Sequence, residues 1–265
     1  MANLPPILLV GCGHMGHAML HGWLKKGLDP SVIVHRHDLD LPSPHQHVRS
    51  IDEISKDFHP KAIILAMKPD QATEIIPSLS PWTKNAVILS VLGGRNLSWL
   101  KSQFGDTQAV IRVMPNTPSE LGLGMTSVVA GSTVTKEQKQ LTDALLLAIG
   151  QVAWLPTEKD MDVATAIAGS GPAYIFLLAE LLQKVGEEKG LSKDLARLLA
   201  RQTVVGSAAL LGKSDKESED LRKAVATPGG ITEQAINILI ESKAWPESLS
   251  KAIQAAADRS KEMSS

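Results

Sequence analysis

Between residues 6 and 155 the chain returns repeatedly to one pattern, a short apolar and largely β-branched run followed by about ten residues of helical periodicity. The runs are ILLV (7–10), SVIVH (31–35), KAIILAM (61–67), AVILSV (86–91), AVIRVM (109–114), TSVVA (126–130) and QVAWL (151–155). A strand with one wet face alternates apolar and polar residues, and these runs do not. Continuous apolar strands separated by helices imply a parallel sheet covered on both faces, so the fold class is α/β with an N-terminal, Rossmann-like, doubly wound sheet. Thr135 and Gln138 form a capping box that marks the start of its last helix.

After Leu155 the strand pattern stops. Helices are expected over 158–168, 172–189, 193–212, 215–226, 231–242 and 247–261, punctuated by GSGP (169–172), Gly190, Gly212 and PGG (228–230). The boundary is placed near Pro156, giving domains 1–155 and 156–265. Thr157 is the expected N-cap of the first helix, with Asp160 completing its box. A chain of 265 residues suits two domains. AYIFLLAELLQKV and LARLLARQTVVGSAALLG are apolar round most of their circumference, which fits either a subunit interface or a deeply buried central helix.

The net charge is −1, and no run of like charge is long enough to suggest a nucleic-acid surface. The apolar run at 7–10 breaks at Gly11 and has no basic segment before it, so neither a signal peptide nor a membrane span is expected there. Cys12 is the single cysteine. That excludes an internal disulfide and a cysteine-based metal site, and it suits a reducing, cytoplasmic setting.

GCGHMG (11–16) follows the first strand directly and opens the helix 14–26. In that setting Gly11 permits the turn, Gly13 lets backbone approach a pyrophosphate, and the helix N-terminus presents free N–H groups. The second strand ends in His35, Arg36 and His37. An arginine there suits a 2′-phosphate and favours NADP, whereas Asp38, turned inward, would suit the ribose hydroxyl of NAD. All eight histidines lie in the first 59 residues. His17 and His21, or His45 and His47, have metal-compatible spacing without a third ligand beside them, so surface or packing roles are expected. Cys12 is accounted for as a small loop residue.

Four further motifs follow in order: AMKP (66–69), RVMPNTP (112–118), GSGPAY (169–174) and TPGGIT (227–232). Together with the glycine-rich turn, this set resembles the pyrroline-5-carboxylate reductase family over essentially the whole chain. The resemblance implies NADPH-dependent, sometimes NADH-dependent, reduction of 1-pyrroline-5-carboxylate to L-proline, the last step of proline biosynthesis. It implies too a C-terminal all-helical dimerisation domain, making a homodimer and often a ring of dimers, which favours an interface for the two apolar helices. No nucleic-acid or membrane partner is implied.

By the same resemblance, the cofactor contacts Gly11, Cys12, Gly13, His14, Met15, Gly16, His35, Arg36, Ala66, Met67, Lys68, Pro69 and Gly93. The substrate sits against Thr227, Gly229, Gly230, Ile231 and Thr232. Catalytic roles fall to Thr232, as proton donor or orienter of the ring nitrogen, to Glu158, favouring the iminium, and to Ser170. The PGG turn restarts at once as a helix, so its opening N–H groups suit a carboxylate. Cys12, His14, SVLGG (90–94) and Ile231 depart from the commoner family pattern. A β-hydroxyacid or imine dehydrogenase would carry Lys-x-x-x-Asn on a long helix, which 172–189 and 193–212 lack. A non-catalytic NADP-binding paralogue would show a degraded PGG turn, and Ile231 is the only residue that hints at one.

Overall fold

A computed structural model describes residues 3–264. The elements run β1 (Ile7–Val10), α1 (His14–Lys25), β2 (Val32–Val34), β3 (Gln46–Val48), β4 (Ala62–Leu65), α2 (Ala72–Ile75), α3 (Ser80–Thr83), β5 (Val87–Ser90), α4 (Leu97–Phe104), β6 (Val110–Met114), β7 (Gly124–Ala130), α5 (Lys136–Leu146) and β8 (Gly150–Trp154). Helices follow: α6 (Asp160–Ala164), a π turn (Thr165–Gly169), α7 (Gly171–Glu188), α8 (Lys193–Lys213), α9 (Ser218–Val225), α10 (Ile231–Leu239) and α11 (Trp245–Met263).

The strands form one sheet in the order β3-β2-β1-β4-β5-β6-β7-β8. Alternation along each strand feeds two cores. Ile7, Leu9, Ile33, Ile64, Leu89 and Ile111 face one cluster, and Leu8, Val10, Val34, Ile63, Leu65 and Ile88 face the other. Both faces are dry, which is why these runs read as continuously apolar. On the first face, the Trp23 indole of α1 donates to the Leu145 carbonyl of α5 at 2.8 Å. Thr135 and Gln138 form the expected capping box of α5.

Two features of the sheet depart from the sequence reading. β7 runs antiparallel to β6, with Val113 opposite Val128, so the sheet is mixed rather than parallel. The connection that reverses it is the short helical turn Thr117–Leu121, too short for a parallel crossover, which needs a dozen or more residues. β3 escaped the apolar pattern because it spans three residues, with only Val48 buried, and lies in the Pro-rich loop. It pairs parallel to β2 at the sheet edge, placing His47 beside Ile33.

The chain divides into two compact units. One runs to Ser170 and takes in the chain again from Ala256, and the other is Gly171–Ala255. The first therefore reaches past Pro156, because Met161 and Ala166 are buried. Thr157 does not cap α6. Its hydroxyl and its N–H both donate to Asp160 Oδ2, at 2.9 and 3.1 Å, and α6 begins at Asp160 with Lys159 as N-cap. In the second unit α7 and α8 leave much of their apolar surface exposed, including Phe176 at 66% and Leu198 at 63%. The stretch Asp160–Glu188 is long and apolar enough to cross a membrane by length and composition.

Candidate functional site

At the carboxyl end of β1 the chain turns through Gly11 and enters α1 with Gly13 as N-cap. Gly11 has φ +91°, and a Cβ there would fall 2.5 Å from Met67 N and 2.6 Å from the Ala66 carbonyl carbon. Only glycine lets β1's turn pass so close to the turn after β4. A Cβ on Gly13 would meet nothing within 4 Å. The first turn of α1 has no intrahelical acceptors for its N–H groups, and it faces a backbone that a bulky anion can approach.

A cleft of about 360 Å³ opens beside this turn. It is lined by Gly11, Cys12, Gly13, His35, Arg36, Ala66, Met67 and Lys68. Among the expected cofactor residues, His14, Met15, Gly16, Pro69 and Gly93 lie outside that lining. Arg49, Ser50 and Gln71 also line it and were missed. Arg49 and Ser50 follow β3, the strand that carried no apolar signal. The dinucleotide reading fits these residues: an open glycine cradle, a helix N-terminus and three cationic side chains border one cleft.

Hydrogen bonds brace the cleft wall. His35 Nδ1 accepts from the Cys12 N–H at 3.3 Å, and the His35 carbonyl lies 2.8 Å from His47 Nε2. Burial, with His37, His47 and Arg36 nearby, holds the His35 imidazole below its usual pKa, in the neutral form this acceptor role requires. Burial pushes the Cys12 thiol up to about 11. Asp38 lies outside the cleft lining and takes Arg49 as partner at 2.6 Å, rather than turning inward. That ion pair holds the Asp38 carboxyl below its usual range.

Arg95, in the loop after β5, ties that loop to the one after the neighbouring β4. Its guanidinium lies 4.8 Å from the Trp99 ring centroid and donates to the Pro69 carbonyl at 3.4 Å. Asn96 caps α4 by accepting from the Trp99 N–H at 2.7 Å, while its amide donates to the Ser264 carbonyl at 2.8 Å. Arg112, 2% exposed, donates to Glu158 Oε1 at 3.2 Å, and the same oxygen accepts from the Leu97 N–H at 2.8 Å. Glu158 thus stands at the N-terminus of α4, where a negative charge is favourable.

Ser170 follows the π turn, and its N–H donates to the Thr165 carbonyl at 2.9 Å. Asn116 of the RVMPNTP motif fastens that turn: its amide donates to the Ala168 carbonyl at 2.9 Å, and its oxygen accepts from the Met125 N–H at 2.8 Å. Single π turns inside helices are frequent at functional sites.

In the second unit, Gly229 adopts φ +72°, and Gly230 is the extended N-cap of α10. The Gly230 N–H donates to the Thr227 carbonyl at 2.9 Å. The Gly229 N–H donates to Glu233 Oε2 at 2.8 Å, so that one donor of the turn is already satisfied by a carboxylate. Ile231, Thr232 and Glu233 open the helix, where N–H groups have no intrahelical acceptor. Ile231 is 94% exposed.

Comparison with known proteins adds to this geometry. Residues 158–263 match the family model described as pyrroline-5-carboxylate reductase dimerisation, and residues 6–94 match one described as NADP oxidoreductase, coenzyme F420-dependent. The chain is 36% identical to pyrroline-5-carboxylate reductase 2 of Bacillus subtilis, over 96% of this chain and 93% of that protein. It is 31% identical to pyrroline-5-carboxylate reductase of Pseudomonas aeruginosa, over 98% and 97%. Among solved structures, a pyrroline-5-carboxylate reductase from Coxiella burnetii superposes with TM-score 0.89 at 33% identity, covering 98% of each chain. The Plasmodium falciparum pyrroline carboxylate reductase with NADP bound gives 0.85 at 29% identity, covering 100% of each. With a mixed Rossmann-type sheet, a glycine-turn cleft and relatives matched along almost its full length, the chain belongs to the pyrroline-5-carboxylate reductase family.

Proposed function

We propose that this chain reduces the C=N bond of 1-pyrroline-5-carboxylate to give L-proline, with NADPH as preferred cofactor and NADH as the weaker one. The observation that carries this is a glycine-turn cleft bordered by arginine, in a chain that a relative named as this reductase matches over 96% of its length. The bound nicotinamide supplies the hydride. This chain's residues position the reactants, a contribution worth about 7–11 kcal/mol of barrier in well-oriented systems.

Gly11, Cys12, Gly13, His14, Met15 and Gly16 are assigned to the cofactor's pyrophosphate. His35 and Arg36 are assigned to its ribose end, and Ala66, Met67, Lys68, Pro69 and Gly93 to the remaining contacts. The substrate carboxylate is assigned to the turn Thr227, Gly229, Gly230, Ile231 and Thr232, where backbone donors at a helix start suit a small anion. Thr232 orients or protonates the ring nitrogen. Ser170 is assigned a supporting polar contact, and Glu158 a charge that favours the iminium.

A homodimer through the helical unit accounts for the exposed apolar faces of α7 and α8. The match to a dimerisation model over 158–263 favours a second protomer over a membrane as the occupant. A ring of such dimers and a cytoplasmic location belong to the same proposal. The test is NADPH oxidation by the purified protein with pyrroline-5-carboxylate, with NADH in parallel. Turnover with NADPH faster than with NADH is expected, and no turnover with either overturns the assignment.

A further inference from the structure

The cleft carries a second arginine that lies in none of the recognised motifs. Arg49 leaves the carboxyl end of β3, Arg36 leaves the carboxyl end of the adjacent β2, and both line the same cavity. Arg49 Nη2 contacts Asp38 Oδ1 at 2.6 Å, with the two side chains 63% and 83% exposed. An ion pair this exposed contributes little and is readily exchanged. One contact to one carboxylate also leaves most of the five guanidinium N–H donors available.

The countercharges acting on Arg49 are Asp38 and, more weakly, Glu53. Against them stand Arg36, Arg49 and Lys68, all of which line the cleft. That balance suits a phosphomonoester better than a ribose hydroxyl.

We propose that Arg49 is a specificity-determining residue for the 2′-phosphate, gripping it together with Arg36. The proposal rests on the NADP(H) reading above. When a 2′-phosphate enters, Arg49 exchanges the single carboxylate for a dianion with three acceptor oxygens, a stronger charge-assisted partner. When the ribose carries only a hydroxyl, Arg49 keeps Asp38 engaged, so the acidic residue that would grip that hydroxyl is withheld. Discrimination therefore has an attractive arm and a withholding arm, both set by one side chain.

The test is calorimetric binding of NADP⁺ and of NAD⁺ to the purified, full-length protein and its variants, without substrate. Arg49→Gln is expected to raise the dissociation constant for NADP⁺ about tenfold, as loss of one charge-assisted contact predicts, and to leave that for NAD⁺ unchanged or lower it by up to about twofold, because Asp38 is released. Arg49→Lys keeps the charge, loses the fork and should fall between. Wild-type protein that binds NADP⁺ no tighter than NAD⁺ would refute the underlying cofactor reading. A wild-type preference for NADP⁺ that survives unchanged in both variants would refute only the role of Arg49. Equal weakening of both dinucleotides would also refute it, showing a purely structural residue.

Discussion

Arg112 and Glu158, 46 residues apart, meet at 3.2 Å, and the carboxylate oxygen that makes this ion pair also accepts the Leu97 N–H. Arg112 projects from β6 and is almost fully buried, so that carboxylate compensates a charge held out of water. Removing one partner of a buried pair strands the other. Glu158→Ala should therefore cost about 3 kcal/mol in urea denaturation, and Glu158→Gln distinctly less because the amide oxygen still accepts. A fall in kcat for Glu158→Gln at an unchanged denaturation midpoint would give Glu158 the substrate role assigned to it, and loss of stability alone would confine it to structure.

Gly11→Ala places a methyl against Met67 N and the Ala66 carbonyl in a backbone conformation that L side chains avoid. The loss should be about 2–4 kcal/mol of stability, since neither contact is a movable side-chain end. NADP⁺ binding should fall with it. Guanidinium titration followed by tryptophan fluorescence, with calorimetry for the ligand, checks both.

Cys12 should resist alkylation. Its thiol, raised from 9.0 to about 11, remains protonated at neutral pH, and the thiolate is the reactive form. Iodoacetamide labelling followed by mass spectrometry should be slow at pH 8 and accelerate steeply above pH 10. The linkage runs in the same sense. Between pH 9 and 11 the unfolded chain releases this proton while the folded chain keeps it, so this thiol's contribution to stability declines as pH rises through that window. Rapid labelling of the folded protein at pH 8 contradicts this placement.

Thr232→Ala should reduce kcat by about 10²- to 10⁴-fold if the hydroxyl transfers or orients a proton. Thr232→Ser, which keeps the hydroxyl, should recover most of it. Steady-state kinetics with pyrroline-5-carboxylate separates this from binding, which would raise KM and spare kcat. Equal loss in both variants would show that Thr232 acts through packing at the start of α10.

Phe176→Glu on α7 should convert the proposed homodimer to monomer in sedimentation velocity, because it sets a charge in the middle of an apolar face that is 66% exposed at this position in the single chain. Retention of the dimer would move the interface elsewhere on the helical unit.

The strands that recur as apolar runs are legible in the sequence, because burial on both faces removes the polar half of the alternation and leaves a pattern visible in a few residues. The glycine turn is legible for a related reason. Its requirement is local: Gly11 needs a conformation and a closeness to Met67 that no other residue tolerates. Hydrophobicity alone leaves the apolar helices α7 and α8 open between a buried core and an interface. In the folded single chain, Ala196 and Ala200 are buried while much of the larger apolar surface stays exposed.

Features that depend on distant partners are not legible in this way. β3 exists because Gln46–Val48 finds the free edge of β2, not because three residues have strong propensity. Arg49 comes into the cleft only with that strand, and Asp38 is taken from the cleft by it. The reversal of β7, the π turn before Ser170 and the union of Arg112, Glu158 and Ser264 likewise arise from packing across long sequence separations. Local patterns record which residues avoid water and which backbone shapes are allowed. Which buried charge meets which carboxylate is settled only when the sheet brings them to the same side, since desolvation penalises every arrangement that leaves one unpaired.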